Sequence, residues 1–296
     1  MTPVIVEAAI NGATPKARNP SVPTAPDEIA REAVACMQAG AAIVHNHIDD
    51  FSLGGTEAAE RYLAGWRPVV RERPDAILYC TVALGGGVEA RYSHVPPLAA
   101  SGLMRMGVLD PGSVNLGSAG DDGLPGGFDF VYSHSYGDVR HVVAQLHECR
   151  LGPSISIFEP GFLRTALVYH RQGKLPRGAF VKLYFGGDAS YLGGGASGVT
   201  FGLPPTRKAL DAYLEMLDGC ELPWAVAVIG GDVVESGLAR LALERGGHVR
   251  VGLEDYAGPR TPANVELVRE VAALATKVGR PLASPGEAAR LLGLPR

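Results

Sequence analysis

The chain has 296 residues, of which 46% are hydrophobic and 20% are charged, and its formal net charge is -4. This composition is typical of a globular protein, and the lack of a Lys/Arg-dense stripe excludes an extended nucleic-acid-binding face. Gly, Pro or a charged residue interrupts every apolar segment before it reaches the roughly 20 residues that a membrane-spanning helix needs. Four scattered cysteines without a CxxC pair, and the lack of a basic stretch before the first apolar run, predict a reduced, cytoplasmic protein.

Eight short apolar, β-rich runs follow one another along the chain, each with a helix-like segment behind it. Most of them lack polar alternation, and they start about 25 to 50 residues apart, which is typical of parallel strands joined by crossover helices. We therefore predict a (β/α)8 TIM barrel; an open doubly wound sheet is the alternative, because periodicity cannot show closure. The runs are residues 3–10, 41–47, 75–83, 103–110, 152–159, 179–187, 223–231 and 248–255.

No linker divides the chain, so residues 1–296 are interpreted as one barrel domain, with the tail SPGEAARLLGLPR as a short capping helix. Two long Gly-rich loops interrupt the rhythm, at residues 109–138 and 186–205. The first contains a strand-like FDFVY. Both follow the carboxyl ends of strands, where a TIM barrel carries its active site, so each is either a substrate wall or lid, or a flexible surface insertion.

The second run ends in His45-Asn46-His47. Residues i and i+2 of a strand point to the same side, so both imidazoles can face the barrel interior and chelate one ion. Imidazole suits zinc and similar divalent metals, but a catalytic zinc commonly takes three protein ligands. Without a third ligand, the pair is equally consistent with two packed, hydrogen-bonded core histidines.

The best candidate for the third ligand lies in the last run, HVRVGLED, which ends in Glu254 and Asp255. In a closed barrel the eighth strand adjoins the first and is two strands from the second, so Glu254 can reach a metal held there, with Asp255 as a nearby base. The alternative is that these acids begin a polar turn. Arg250 lies on the same strand face as Glu254 and should pair with a carboxylate, unless it faces solvent at the bottom of the barrel.

Other polar residues lie within or just beyond the predicted strands. Glu7 is an acid in an apolar strand and therefore needs a partner; we interpret it as a support for the site or as the ion-pair partner of Arg250. Thr81, Asn115 and Glu159 stand at or beyond strand ends, where a side chain either meets substrate or caps a turn.

In combination, NGA near the N-terminus, AGAAIVHNH, LDPGSVNLG and GGHVRVGLED resemble the β-keto acid cleavage enzymes, whose founding activity is 3-keto-5-aminohexanoate cleavage. The resemblance covers essentially the whole chain. It implies a TIM barrel, usually in a homotetramer, with a divalent metal, normally zinc. The implied metal ligands are His45, His47 and Glu254.

The same resemblance implies that Asp255 is the general base, aided by Arg250, and that Thr81 helps to polarise the substrate. The implied reaction joins a β-keto acid with acetyl-CoA and yields acetoacetate and a new acyl-CoA. A metal with an open position would polarise the keto group, and Asp255 would remove a proton from the acetyl-CoA methyl group.

The chain departs from the family pattern at two positions. Members that act on the 5-amino substrate have an acid just after the first turn, where this chain has Thr14, a candidate substrate-binding residue; we therefore expect a different β-keto acid. Many relatives have Arg two residues after the second His, where this chain has Asp49. The alternatives to this function are a metal-dependent aldolase or hydrolase that uses no CoA, and a non-catalytic metabolite-binding barrel.

Overall fold

A computed structural model describes residues 2–189 and 201–295, the side chains of residues 127–129 excepted. The strands are β1 (Val6–Ala9), β2 (Ile43–Asn46), β3 (Ile77–Cys80), β4 (Met106–Leu109), β5 (Val114–Ala119), β6 (Pro125–Tyr132), β7 (Gly152–Ile157), β8 (Phe180–Gly186), β9 (Trp224–Ile229) and β10 (His248–Val251). Eight of them form a parallel sheet in the order β3-β2-β1-β10-β9-β8-β7-β4. At the remaining gap, the Arg105 amide donates to the Leu78 carbonyl at 3.2 Å. The predicted (β/α)8 TIM barrel is confirmed.

Each of the eight predicted runs contains one strand of this barrel. Their continuous apolar character has the expected cause, because each strand is covered by helices outside and by the filled barrel inside. All seven residues of β8, for example, are buried.

Helices separate most of the strands, and several begin as the sequence predicts. The first has Pro26 at its first position and acids in its first turn, and the Glu28 carboxylate accepts a hydrogen bond from the Ala25 amide at 3.1 Å. The helices are α1 (Pro26–Gln38), α2 (Gly55–Glu72), α3 (Val88–Arg91), α4 (Val95–Ala100), α5 (Tyr136–Glu148), α6 (Pro160–Arg171), α7 (Arg207–Met216), α8 (Leu238–Glu244), α9 (Asn264–Lys277) and α10 (Pro285–Leu292).

The strand register sets the heights of the polar side chains inside the barrel. Glu7 on β1 is the partner of Arg250 on β10, and His45 on β2 is the partner of Tyr79 on β3. Ala9, two residues beyond Glu7, is also paired with His45. The interior therefore has an ionic layer below and a histidine layer above it, nearer the carboxyl ends of the strands.

The first Gly-rich loop is a wall over the barrel mouth. Its strands β5 and β6 pair antiparallel, with Leu116 opposite Phe130, and both of these side chains line the cleft below. The predicted strand FDFVY is thus part of a hairpin. In the second Gly-rich loop, residues 190–200 lie outside the described part of the chain.

The predicted C-terminal helix is present as α10. The tail that follows it is tied to the closure point of the barrel, because Arg105 donates to the Pro295 carbonyl at 3.3 Å. The interpretation of residues 1–296 as one domain stays a prediction. Among the helices of the described residues, none combines the length and the apolar character needed to cross a bilayer.

Candidate metal centre and active-site cleft

His45, His47 and Glu254 meet at the carboxyl end of the barrel, with their ligand atoms all within 4.8 Å of one another. Nε2 of His45 lies 3.3 Å from one carboxylate oxygen of Glu254, and Nε2 of His47 lies 3.3 Å from the other. Ligands bound tetrahedrally at about 2.1 Å stand roughly 3.4 Å apart. The side chains therefore have the composition and the spacing that a zinc-like ion requires.

Hydrogen bonds with neighbouring residues fix the positions of the two histidines. Nδ1 of His45 lies 3.3 Å from the Tyr79 carbonyl, which fixes the ring with Nε2 towards the cluster. The backbone of His47 is clamped by Asn11, whose side-chain oxygen accepts from the His47 amide at 2.8 Å and whose amide donates to the His47 carbonyl at 3.0 Å. NGA is one of the segments on which the family resemblance rests, and its Asn11 holds the backbone of His47 in place.

Gly12 of the same motif packs directly against Glu254. Its φ of +59° lies in the left-handed region, and a Cβ atom added there would collide with the Glu254 side chain. The glycine therefore serves both the turn and the position of the candidate ligand.

The electrostatic surroundings keep Glu254 ionised. Burial by itself would raise the pKa of its carboxyl, but the Arg250 guanidinium and the two imidazoles outweigh burial and hold the pKa well below its usual range. Nη2 of Arg250 lies 2.9 Å from Glu254. An anionic carboxylate is the form that coordinates a divalent cation.

Arg250 is buried and also donates two hydrogen bonds, of 2.8 and 2.9 Å, to the Asp255 carboxylate. Burial raises the pKa of the Asp255 carboxyl, with the guanidinium acting against that shift, and a raised pKa makes a carboxylate a stronger base. Arg250 and Glu254 line the cleft, whereas Asp255 is not among the described residues that line it. Glu7 completes the group, with Oε1 at 3.1 Å from Nη1 of Arg250.

Lys182 on β8 and Tyr79 are cleft residues that the sequence reasoning missed. The Lys182 ammonium donates to the Tyr79 hydroxyl at 2.7 Å and lies 3.3 Å from Glu7, and the Tyr79 hydroxyl donates to Glu7 at 2.5 Å. Burial lowers the pKa of Lys182, and Glu7 opposes that shift. The available signal was a lysine inside the apolar run AFVKLYFGG, where a charge requires a partner.

The structure brings Thr81 into the same cleft but separates the other predicted substrate-binding residues from its lining. Thr14 donates to the Leu253 carbonyl at 2.8 Å, in the turn behind Glu254. Asn115 is exposed on β5, on the opposite side from Leu116, and Glu159 accepts a hydrogen bond from the Gly202 amide at 2.7 Å. Their substrate roles stay predictions.

Asp49 also lies away from the cleft lining. Its two carboxylate oxygens accept from one nitrogen of Arg61 at 3.0 and 2.9 Å, in an exposed ion pair. The departure from the family pattern at this position therefore changes surface charge beside the site, without placing an acid among the described residues that line the cleft.

A closed parallel barrel with a His-His-Glu cluster facing a cleft at its carboxyl end defines a TIM-barrel enzyme with a candidate metal centre. More particularly, the chain belongs to the β-keto acid cleavage enzyme family, whose model matches residues 3–294.

Individual relatives agree with this assignment over nearly their full lengths. The chain is 30% identical to a 3-keto-5-aminohexanoate cleavage enzyme of Fusobacterium nucleatum, over 99% of both chains. It is 27% identical to a 3-oxoadipate:acetyl-CoA acetyltransferase of Cupriavidus necator, over 99% of this chain and 95% of the relative. A solved ternary complex of ObcA with C4-CoA adduct and oxalate has a TM-score of 0.68 at 19% identity, covering 94% of this chain and 68% of that chain, and shows similarity of fold.

Proposed function

We propose that this protein is a divalent-metal-dependent enzyme that converts a β-keto acid and acetyl-CoA into acetoacetate and a new acyl-CoA. The observation that carries the proposal is the His45-His47-Glu254 cluster facing an open cleft in a member of the β-keto acid cleavage enzyme family. Acetyl-CoA is inferred as co-substrate because relatives named for acetyl-CoA transfer match the chain over nearly its whole length.

His45, His47 and Glu254 would hold the metal, with zinc as the proposed ion because two imidazoles and one carboxylate suit it. When bound, the ion would supply a Lewis acid that polarises the keto group of the substrate. Lys182 and Arg250 line the same cleft and add positive charge where an anionic keto acid must bind. Thr81, also in the cleft, is proposed to position the substrate carbonyl.

Atom balance corrects one detail of the mechanism expected from the sequence. Acetoacetate contains the acetyl group of acetyl-CoA joined to the CH2–COO⁻ unit of the keto acid, so the new C–C bond forms at C2 of the keto acid. The base must therefore take its proton from that carbon and not from the acetyl-CoA methyl group. A C2 proton lies between two carbonyl groups and is the more acidic choice once the keto oxygen is polarised.

The remaining steps then balance. Asp255, held by Arg250, takes the C2 proton, and C2 attacks the thioester carbonyl and releases CoA as its thiolate. The thiolate attacks the original keto carbon, and the bond from that carbon to C2 breaks to give the acyl-CoA. C2 recovers the proton from Asp255, which leaves acetoacetate. Asp255 is hydrogen-bonded to Arg250 and does not itself line the cleft. The C2 carbon can reach it only if the substrate binds in contact with Arg250 and Glu254.

Further elements of the proposal rest on the family resemblance or on composition. We propose a homotetramer, a substrate other than 3-keto-5-aminohexanoate because Thr14 replaces the expected acid, and a cytoplasmic location consistent with four unpaired cysteines.

The test assays a panel of β-keto acids with acetyl-CoA and measures the acetoacetate that forms. The protein is first depleted of metal, and activity is compared before and after zinc is added. Glu254→Gln should remove both metal binding and activity, whereas Glu221→Gln, a matched change at an exposed acid, should remove neither. Equal consumption of keto acid without acetyl-CoA would instead support an aldolase or hydrolase. Binding of keto acids without any turnover would support a metabolite-binding barrel.

A second measurement isolates the base. Wild-type protein with zinc should exchange the C2 protons of the keto acid with D2O in the absence of acetyl-CoA. Asp255→Asn keeps the shape of the side chain and should lose most of this exchange while retaining the metal. Exchange at the wild-type rate in Asp255→Asn would assign the base to another group.

A further inference from the structure

Asp110 is a buried acid with an incomplete set of partners. It directly follows β4, is 5% exposed, and lines the cleft. Its Oδ2 accepts a hydrogen bond from the Tyr132 hydroxyl at 2.5 Å. Its Oδ1 is also buried but receives no hydrogen bond from any donor in the described part of the chain.

Such an oxygen is costly to leave unsatisfied. A buried carboxylate normally has a cation or several donors beside it, because an unpaired buried acceptor keeps the cost of leaving water without a compensating hydrogen bond. Among the described residues, no Lys, Arg or His lies at ion-pair distance from Asp110; Lys182, in the same cleft, is paired with Glu7 and acts on Asp110 only from a longer distance. Since it lines the cleft, a donor can reach it from a bound molecule.

The position of Asp110 relative to the candidate metal centre suggests which part of that molecule supplies the donor. The candidate ligands lie at β2 and just beyond β10, on either side of β1, and β4 is three strands from β1 around the eight-stranded barrel, on its far side. Glu254 follows β10 and Asp110 follows β4. A keto acid whose keto group faces the three candidate ligands would therefore extend its R group across the mouth towards Asp110.

The surroundings of Asp110 also favour one class of R group. The aromatic side chains of Tyr132 and Phe158 line this part of the cleft, with ring centroids 6.2 Å apart, and Tyr132 is the residue hydrogen-bonded to Asp110. Aromatic faces accept ammonium groups and the apolar carbons next to a hydroxyl, whereas a second carboxylate would meet Asp110 as a like charge.

We propose that the R group of the β-keto acid carries a hydrogen-bond donor, a hydroxyl or an ammonium group, which Asp110 Oδ1 accepts. This inference rests on the proposed function and specifies its substrate class. Asp110 then selects the substrate, while the proposed metal centre and Asp255 carry out the chemistry. The donor reaches the β4 side of the cleft, a different place from the turn after β1 that contains Thr14.

The first test compares 3-oxo acids of equal length whose R groups end in a methyl, hydroxyl, ammonium or carboxylate group. With wild-type protein, either the hydroxyl or the ammonium compound should exceed the methyl compound at least about tenfold in kcat/KM. The compound with the higher kcat/KM shows which donor Asp110 accepts. The carboxylate compound should be the poorest. A methyl or carboxylate compound that equals or exceeds both donor compounds overturns the proposal. Absence of acetoacetate from every compound would instead refute the proposed function.

The second test changes Asp110 and measures binding without turnover. Asp110→Asn replaces one acceptor oxygen with a donor, so the preference for the donor compound over the methyl compound should fall at least about tenfold, both in kcat/KM and in calorimetric binding without acetyl-CoA. Asp218→Asn, at an exposed acid, should keep the wild-type ratio. An unchanged ratio in Asp110→Asn overturns the proposal. If Asp110→Asn does not fold, the wild-type calorimetric ratio decides.

Discussion

Glu7 and Arg250 are register partners on β1 and β10, and their side chains meet at 3.1 Å inside the barrel. The same Glu7 oxygen accepts from the Tyr79 hydroxyl and lies 3.3 Å from the Lys182 ammonium. The Glu7 carboxylate thus partly neutralises the charge of two buried cations, Arg250 and Lys182. Isolated buried charge is strongly destabilising, whereas a fully paired network is close to neutral.

Glu7→Gln is therefore expected to lower the free energy of unfolding by about 3–5 kcal/mol, because Lys182 and Arg250 lose a buried counter-charge. Urea unfolding measures the change. Adding Lys182→Met removes one of the cations, so the double variant should recover part of the loss. Strict additivity of the two single changes would show that Glu7 and Lys182 are not coupled.

Gly12→Ala is expected to weaken zinc binding at least about tenfold, because the new methyl group pushes Glu254 away from the two imidazoles. Gly173→Ala is the matched control: its φ of +62° is close to the +59° of Gly12, but an added Cβ there meets no atom within 4 Å. Both variants should lose about 1 kcal/mol of stability from backbone strain. Equal zinc affinity in the two variants, measured by chelator competition, would contradict the proposed function of Gly12.

The barrel and its His-His-Glu cluster could be predicted because each leaves a local trace in the sequence. Eight apolar runs at crossover spacing indicate the strands, and HNH with GLED offers three ligands that strand order brings together. The position of each polar side chain relative to the cleft could not be predicted in the same way. Asn115 and Leu116 are neighbours in one strand, and only the hairpin's packing decides which of them faces the cleft.

The interior network was missed for a related reason. Lys182, Tyr79 and Glu7 come from three strands that are far apart in sequence, and their contacts depend on register and on barrel closure. Sequence reasoning recognised Glu7 as an acid that needed a partner and offered Arg250, which the structure places at hydrogen-bond distance. The sequence marks Lys182 as a charge inside an apolar run, but it does not identify the partners of Lys182, which lie more than one hundred residues away.

Lys182→Met should raise the KM of the keto acid about tenfold or more, because it removes a positive charge from the wall of a cleft that receives an anion. Met preserves most of the buried volume, so the protein should still fold and bind zinc. Lys208→Met, at an exposed lysine on α7, is the control and should leave KM unchanged. A large fall in kcat with KM unchanged would show that Lys182 acts in the chemical step instead of in substrate binding.

We predict that the protein loses stability in mild acid because of the buried His248, which lies outside the active-site cleft. Its Nδ1 accepts a hydrogen bond from the Ile5 amide at 3.0 Å, and burial lowers the pKa of its imidazole to about 3. A histidine held neutral in the folded state contributes stability that is fully present above its unfolded pKa of roughly 6.5. That contribution is lost as the pH falls from about 6.5 towards 3, because protonation then favours the unfolded chain.

The free energy of unfolding of the wild-type protein should therefore fall by about 1–3 kcal/mol between pH 7 and pH 4.5 through this residue alone. His248→Asn retains a side-chain acceptor for the Ile5 amide but cannot titrate, so its stability should depend less on pH over the same interval. His170→Asn, at a half-buried histidine of α6, should keep the wild-type dependence. Equal losses in wild type and His248→Asn, measured by urea unfolding at both pH values, would assign the acid sensitivity to other groups.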